Sequence, residues 1–178
     1  MSAEEYFDIV DGSGAVVGRA AREECHGDPS LIHRTVHVVV TRPGDGAMLL
    51  QKRRGDKDIQ PGKWDTAVGG HLSSGEDHGE AVLRELREEL GVAADPSELE
   101  SILEMEIRNE IESENVRVYS LVHPGPFDFQ EEEISEVRFW GIRELREAIA
   151  REPEIFTPNF IEEFGRLEMI PGFIKEPK

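Results

Sequence analysis

The reading is decided by Gly70-His71-Leu72-Ser73-Ser74-Gly75-Glu76-Asp77-His78-Gly79-Glu80-Ala81-Val82-Leu83-Arg84-Glu85-Leu86-Arg87-Glu88-Glu89-Leu90-Gly91-Val92. With U standing for an apolar residue, it fills every fixed position of G-x5-E-x7-R-E-U-x-E-E-x-G-U. Asp77 and Glu80 have the spacing of a helix N-cap and its capping box, just ahead of an apolar-periodic run. Gly91 stands where a helix ends on a left-handed residue. The spacing therefore predicts a helix from about Asp77 to Leu90. At about 100° per residue, Leu83, Leu86 and Leu90 form one stripe with Val82 at its edge, and Gly79 would allow a close neighbour. Glu85, Glu88 and Glu89 share an arc of about 100° turned away from that stripe. Like charges so placed cost about 0.2–0.5 kcal/mol per pair. A divalent cation reverses that sign and uses the hard oxygen ligands. A solvated acidic face is the plainer account of an unpatterned E-x-x-E-E, but here the full pattern surrounds it.

The rest of the chain bounds the answer. Its 178 residues allow one domain with a sizeable core. No apolar run is long enough to span a bilayer, and Met1-Ser2-Ala3-Glu4-Glu5 lacks the basic start and apolar core of a secretory leader. The one cysteine, Cys25, cannot form an intramolecular disulfide and suits a reducing compartment, so the cytoplasm is expected. A net charge of −18 argues against binding a nucleic-acid polymer, which needs Lys and Arg on phosphates. It also repels an anionic substrate unless metal ions and local cations offset it. Lys52, Arg53, Arg54, Lys57 and Lys63 cluster just ahead of the helix, as a solvated turn or as phosphate contacts.

Short strand-like runs Tyr6–Val10 and 15–18 are joined by Asp11-Gly12-Ser13-Gly14, a hairpin within residues 5–24. The stretch 22–32 is less regular. Strands are predicted at 35–41, 48–52 and just before Gly70, then at 99–108, 115–123 and 137–140, with helical spacing at 142–150 and 158–169. In the last of these, Phe160, Ile161, Phe164 and Leu167 face inward. Gln130 to Glu133 is read as a solvated acidic segment. The fold class is α/β, an α/β/α sandwich with a mixed β-sheet, in one domain over 1–178 whose core spans about 34–150. A homodimer through the hairpin or the last helix is a further expectation.

The pattern over Gly70–Val92 resembles the Nudix box, the signature of hydrolases that cleave a nucleoside diphosphate linked to another moiety, so a nucleoside-diphosphate-type or organic diphosphate substrate is expected. The resemblance implies the Nudix fold and a small diphosphate substrate, with Mg²⁺ (or Mn²⁺) as cofactor. It makes Glu85, Glu88 and Glu89 metal ligands, with the Gly70 carbonyl a further one. It gives Arg84 the task of orienting the carboxylates through a bidentate ion pair, which suits its planar fork, and Glu76 a supporting one. The catalytic set is Glu88, Glu85 and Arg84. For the general base Glu88 is one candidate, and Glu110, Glu112 and Glu114 on a downstream loop are others. Arg53, Lys63 and Trp64 are candidates for substrate contact, although Trp64 also fits a core or loop anchor. Trp140 is expected in the core.

Cys25-His26, Leu31-Ile32-His33-Arg34, Leu49-Leu50-Gln51-Lys52-Arg53 and Pro61-Gly62-Lys63-Trp64-Asp65-Thr66 together resemble type 1 isopentenyl diphosphate isomerase, which shares that fold. The resemblance makes His26, His33 and His71 a second candidate metal or polar site; loop or core histidines bonded to backbone are the alternative. The isomerase's reactive cysteine would fall between Trp64 and His71, where Asp65-Thr66-Ala67-Val68-Gly69-Gly70 contains no thiol. Hydrolysis is therefore the expected activity. An isomerase-like enzyme and a ligand-binding module without turnover are the alternatives.

Overall fold

The computed structural model describes residues 5–57 and 59–174; the leader reading at the chain's start falls mostly outside them. Nine strands and four helices follow in order: β1 (Tyr6–Val10), β2 (Val16–Ala21), α1 (Arg22–Cys25), β3 (Ile32–Thr41), β4 (Met48–Arg53), β5 (Trp64–Thr66), β6 (Val68–His71), α2 (His78–Leu90), β7 (Glu100–Arg108), β8 (Ser113–Val122), β9 (Ile134–Trp140), α3 (Ile142–Arg151) and α4 (Pro158–Glu168). Seven strands form a mixed sheet in the order β5-β4-β3-β8-β7, with β6 on β3 and β9 on β4. The long β3 and β8 run parallel from the pair Ile32 and Ser113 to the pair Thr41 and Val122, and every other pairing is antiparallel.

Alternation along β3 divides the core. Val36, Val38 and Val40 pack with Ala81, Val82, Leu86 and Leu90 of α2. Val39 belongs to the opposite layer, with Leu145 of α3 and Phe160, Phe164 and Leu167 of α4. The expected sandwich is thus present, with α2 on one face of the sheet and α3 and α4 on the other.

The box helix starts and stops as its sequence dictates. Asp77 accepts from the Glu80 amide at 2.9 Å and Glu80 answers the Asp77 amide at 3.1 Å. Gly91 closes it at φ 67°, its amide bonded to the Arg87 carbonyl. Two details differ from the expected stripe. Leu83 is only half-buried, whereas Val82 and Glu85 are buried, so the inward face is rotated toward Val82. Gly79 is exposed and would meet only its own cap oxygen, so it admits no close neighbour.

The hairpin and α4 each turn one side to this chain, while Val16 and Val17 of β2 and Met169 after α4 stay exposed. The hairpin lays Phe7 and Ile9 over Cys25, and Asp8 ties it down through Arg34 (3.0 Å), Ser74 (2.6 Å) and the Gly75 amide (3.0 Å). Among the described residues, no helix is long and apolar enough to cross a membrane.

Candidate active site

Strand β6 is the spine of the site. Val68 and Gly70 face α2, and Gly69 and His71 face the other layer. A Cβ on Gly70 would lie 2.0 Å from the Glu85 carboxyl carbon, so only glycine lets that carboxylate seat against the strand. Arg84 braces the carboxylates. Its Nη1 donates to Glu85 at 2.7 Å and to Glu88 at 3.1 Å, while Nη2 donates to the His71 carbonyl at 2.9 Å. The bidentate pair falls elsewhere than expected, on Glu76, with both bonds at 2.9 Å. Glu76 also accepts the Ser73 amide, which makes it the anchor of the arginine fork.

Glu89 Oε2 accepts from Gln51 Nε2 at 2.9 Å and from the Gly69 amide at 3.4 Å. Burial pushes its carboxyl up to about 8, with neighbouring Glu85 adding to the effect. Burial raises Glu85 as well, against the pull of Arg84. Carboxylates that resist ionisation beside one another are what a cation would stabilise. Glu88 is the exposed member. It borders a cleft of about 390 Å³ lined by Asp128, Phe129, Gln130, Glu131 and Glu132. Glu131 and Glu132 of the segment Gln130 to Glu133 are exposed as expected, and the amides of Asp128 and Gln130 bond to the Leu90 and Glu89 carbonyls and strap the stretch to the end of α2.

Across β6, His26, His33 and His71 bring ligand nitrogens within 4.8 Å of one another. The Nε2 atoms of His26 and His71 are 3.2 Å apart. The two candidate bases join them: Glu114 Oε1 lies 3.1 Å from His71 Nε2 and 3.6 Å from His33 Nε2, and Glu112 Oε2 lies 3.8 Å from His26 Nε2. Both are buried: Glu112 on the loop just ahead of β8, and Glu114 on β8 itself, whose pairing puts it directly beside His33. Glu110 is left on the exposed turn. Phe7 stacks on His71, with centroids 4.6 Å apart and planes 7° off parallel, and on His33 at 5.3 Å.

The donor set suits a metal. His33 Nδ1 lies 3.1 Å from the Leu31 carbonyl, which can only accept, so the proton sits there and Nε2 keeps a lone pair. That Nε2 is buried without a hydrogen-bond partner. Burial, reinforced by His71, lowers His26 to about 4, and burial lowers His71 too, so both are neutral ligands at neutral pH. Burial alone would raise Glu114, but the His33 and His71 imidazoles hold it well below the usual carboxylate range; burial raises Glu112.

The basic cluster is less available than its composition suggests. Arg54 grips Asp56 with two 2.9 Å bonds, and Lys57 pairs with Glu133. Arg53 donates to the Ile59 carbonyl and stands 3.8 Å from Asp65. Lys63 is half-buried at the start of β5. Trp64 is a core residue, edge-on to the similarly buried Trp140 at 5.3 Å, with Lys52 Nζ 5.7 Å over its ring. Gln51, which holds Glu89, was not singled out as a site residue; Phe7 and the pair His37–Glu163 likewise had no local motif to mark them.

A model of the NUDIX domain family matches residues 31–160, spanning the box, the seven-stranded sheet, and His33 and His71 of the histidine cluster but not His26. The chain belongs to the Nudix family. Among its relatives, Nudix hydrolase 3 of Arabidopsis thaliana is 35% identical over 93% of this chain, which spans only 23% of that longer protein. The uncharacterized Nudix hydrolase YfcD of Escherichia coli K12 is 36% identical, over 89% of this chain and 84% of its own length. The crystal structure of DR0079 from Deinococcus radiodurans superposes with a TM-score of 0.76 at 26% identity, covering 91% of this chain and 98% of that one. Nudix membership places this protein among hydrolases acting on phosphorus-containing acid anhydrides.

Proposed function

We propose that this Nudix protein is a Mg²⁺-dependent cytoplasmic hydrolase of a small diphosphate, Mn²⁺ serving in place of Mg²⁺. The observation that carries the reading is the seat of Glu85 on Gly70, with one arginine nitrogen bridging Glu85 and Glu88. Those carboxylates, with Glu89 and the Gly70 carbonyl, would hold the metal. When bound, it supplies neutralisation of phosphate charge and a more acidic water. The chain's own part is to fix the carboxylates through Arg84, hold Glu89 through Gln51, and offer Glu88 at the cleft as the water-orienting base. Arg53 and Lys63 are the basic side chains proposed to meet phosphate.

The test is release of phosphate or nucleotide from a panel of diphosphates with Mg²⁺ or Mn²⁺. Glu88→Gln and Glu89→Gln should each lower kcat by about 100-fold or more. Activity surviving EDTA, or both substitutions, removes the mechanism.

The histidine cluster favours a second metal, and imidazole ligands suit Zn²⁺ or Mn²⁺ better than Mg²⁺. It is also the feature that supports isomerase-like chemistry. Allylic isomerisation needs a proton donor and acceptor on opposite sides of the substrate. The sole cysteine is buried against Phe7, and burial raises its thiol pKa, so it serves neither role. Isopentenyl diphosphate in D₂O with this protein should therefore show no solvent exchange; exchange would reinstate the isomerase.

A further inference from the structure

Beyond both clusters lies a buried charge pair to which the box gives no role. His37 Nδ1 and Glu163 Oε2 are 2.5 Å apart, and Glu163, on α4, is fully buried. His33, Thr35 and His37 alternate onto the same face of β3, and the antiparallel pairing sets them beside His71 and Gly69 of β6. A polar strip thus runs from the histidine cluster to the foot of α4. Three of its atoms, His33 Nε2, Thr35 Oγ1 and Glu163 Oε1, are buried without hydrogen-bond partners.

Fastening α4 does not account for the pair. That helix already buries Phe160, Phe164 and Leu167, and Thr157 caps it while donating to Asp65 at 2.9 Å. A buried ion pair adds little that packed apolar residues would not, because desolvation offsets its attraction. The free edge of the imidazole points somewhere specific. A Cβ built on Gly69 would lie 3.5 Å from His37 Nε2, and no residue at 69 covers that edge because it is glycine. The Gly69 amide donates to Glu89 of the box, and two residues on is His71 of the other cluster. Nε2 therefore stands at the seam between them. The side chain keeps 12% of its surface exposed, and none of the hydrogen bonds among the described residues is made by Nε2.

We propose that His37, held by Glu163, is the fixed cation that receives a phosphoryl oxygen of the substrate through Nε2–H, at the seam of the two clusters. The claim rests on the diphosphate reading above and specifies where that diphosphate lies. A site this rich in carboxylates repels an anion, and of the nearby basic residues Arg54 and Lys57 are already committed to acidic partners. An imidazolium backed by its own buried carboxylate supplies a directed donor in a fixed position. Glu163 keeps that imidazole charged, up to about 9 against the effect of burial, which lowers it. Glu163 is then a positioning residue and His37 a binding residue.

The test uses methylenediphosphonate, a non-hydrolysable diphosphate, titrated into the Mg²⁺-loaded full chain. Histidine ¹⁵N–¹H correlations follow the His37 ring, and calorimetry compares the wild type with His37→Gln and Glu163→Gln. The His37 Nε2 resonance should move on saturation. Affinity should fall about tenfold or more in His37→Gln and less in Glu163→Gln. An unmoved Nε2 at saturation, or affinities within about twofold of wild type in both folded variants, would reduce the pair to a strut and overturn the proposal. If His37→Gln does not fold, the wild-type resonance alone decides. Wild-type protein that does not bind the diphosphonate overturns the diphosphate reading and this proposal together, whereas binding without a His37 response overturns only the proposal.

Discussion

The carboxylates of α2 and the histidines across β6 are two clusters separated by one short strand, assembled in opposite ways. The first comes from a single helix and the strand just before it, uses oxygen donors, is braced by an arginine, and opens to a cleft through Glu88. The second draws on α1, β3, β6 and β8, mixes nitrogen with oxygen, and is sealed beneath Phe7 of the hairpin. Their protonation differs accordingly. Burial among like charges lifts Glu89 to about 8, whereas neighbouring imidazoles hold Glu114 below its usual range. One cluster needs a cation to relieve repulsion between carboxylates, and the other sets neutral imidazole nitrogens beside its carboxylates.

The largest effect should come from breaking the first cluster without touching its carboxylates. Gly70→Ala places a carbon where Glu85 sits. Diphosphate hydrolysis should fall about 100-fold, as for loss of a group that orients a metal ligand, with about 1–3 kcal/mol lost in denaturant unfolding from overpacking. Wild-type activity in Gly70→Ala would mean that the seat of Glu85 is immaterial.

Breaking the second cluster calls for its cover. Phe7→Ala removes a fully buried ring and should cost about 3–5 kcal/mol. Zn²⁺ affinity at the imidazoles should weaken more than Mg²⁺-dependent turnover of the surviving folded protein. Equal losses in both would show that the clusters act as one unit.

A pH titration sharpens the contrast in charge. Glu89 rises from 4.5 to about 8 on folding, so the metal-free folded state binds the extra proton between those values and loses stability as pH rises through that window. His37, raised from 6.5 to about 9 by Glu163, loses its contribution across its own window in the same direction. His26, lowered to about 4, acts oppositely but only below 6.5. The metal-free Tm should therefore fall between pH 6.5 and 8, and Glu89→Gln should flatten part of that fall. A Tm that climbs across this interval contradicts the assignment.

The smallest effect belongs to the basic turn. Arg54→Ala should leave KM within about twofold, since the fork already holds Asp56 on the surface. A tenfold rise would return Arg54 to the substrate.

What the sequence makes legible divides along the same line. The box helix was legible because caps and period are local: Asp77, Glu80 and Gly91 act within a turn of themselves. Leu83 was misplaced because Glu85 turns inward toward Gly70, which no hydrophobic count anticipates. Glu112 does lie on the expected loop, whereas Glu114 falls in β8, because nothing local announces that β8 lies parallel to β3 and in register with His33. Gln51 and Glu163 reach their partners across 38 and 126 residues of chain, a separation only the sheet and α4 close. The alternation His33-Thr35-His37 is visible in the sequence, yet the run at 35–41 by itself announces only a strand. Trp64 shows the reverse: of its two expected roles, substrate contact or core anchor, packing against Trp140 matches the core one.

The most direct measurement is the anomalous scattering of crystals grown with Mn²⁺. A manganese ion should lie against Glu85, Glu88 and Glu89 beside the Gly70 carbonyl, whether or not the histidines hold a second. Manganese found only among His26, His33 and His71, with the α2 carboxylates bare at saturating metal, would contradict hydrolysis driven from the box helix.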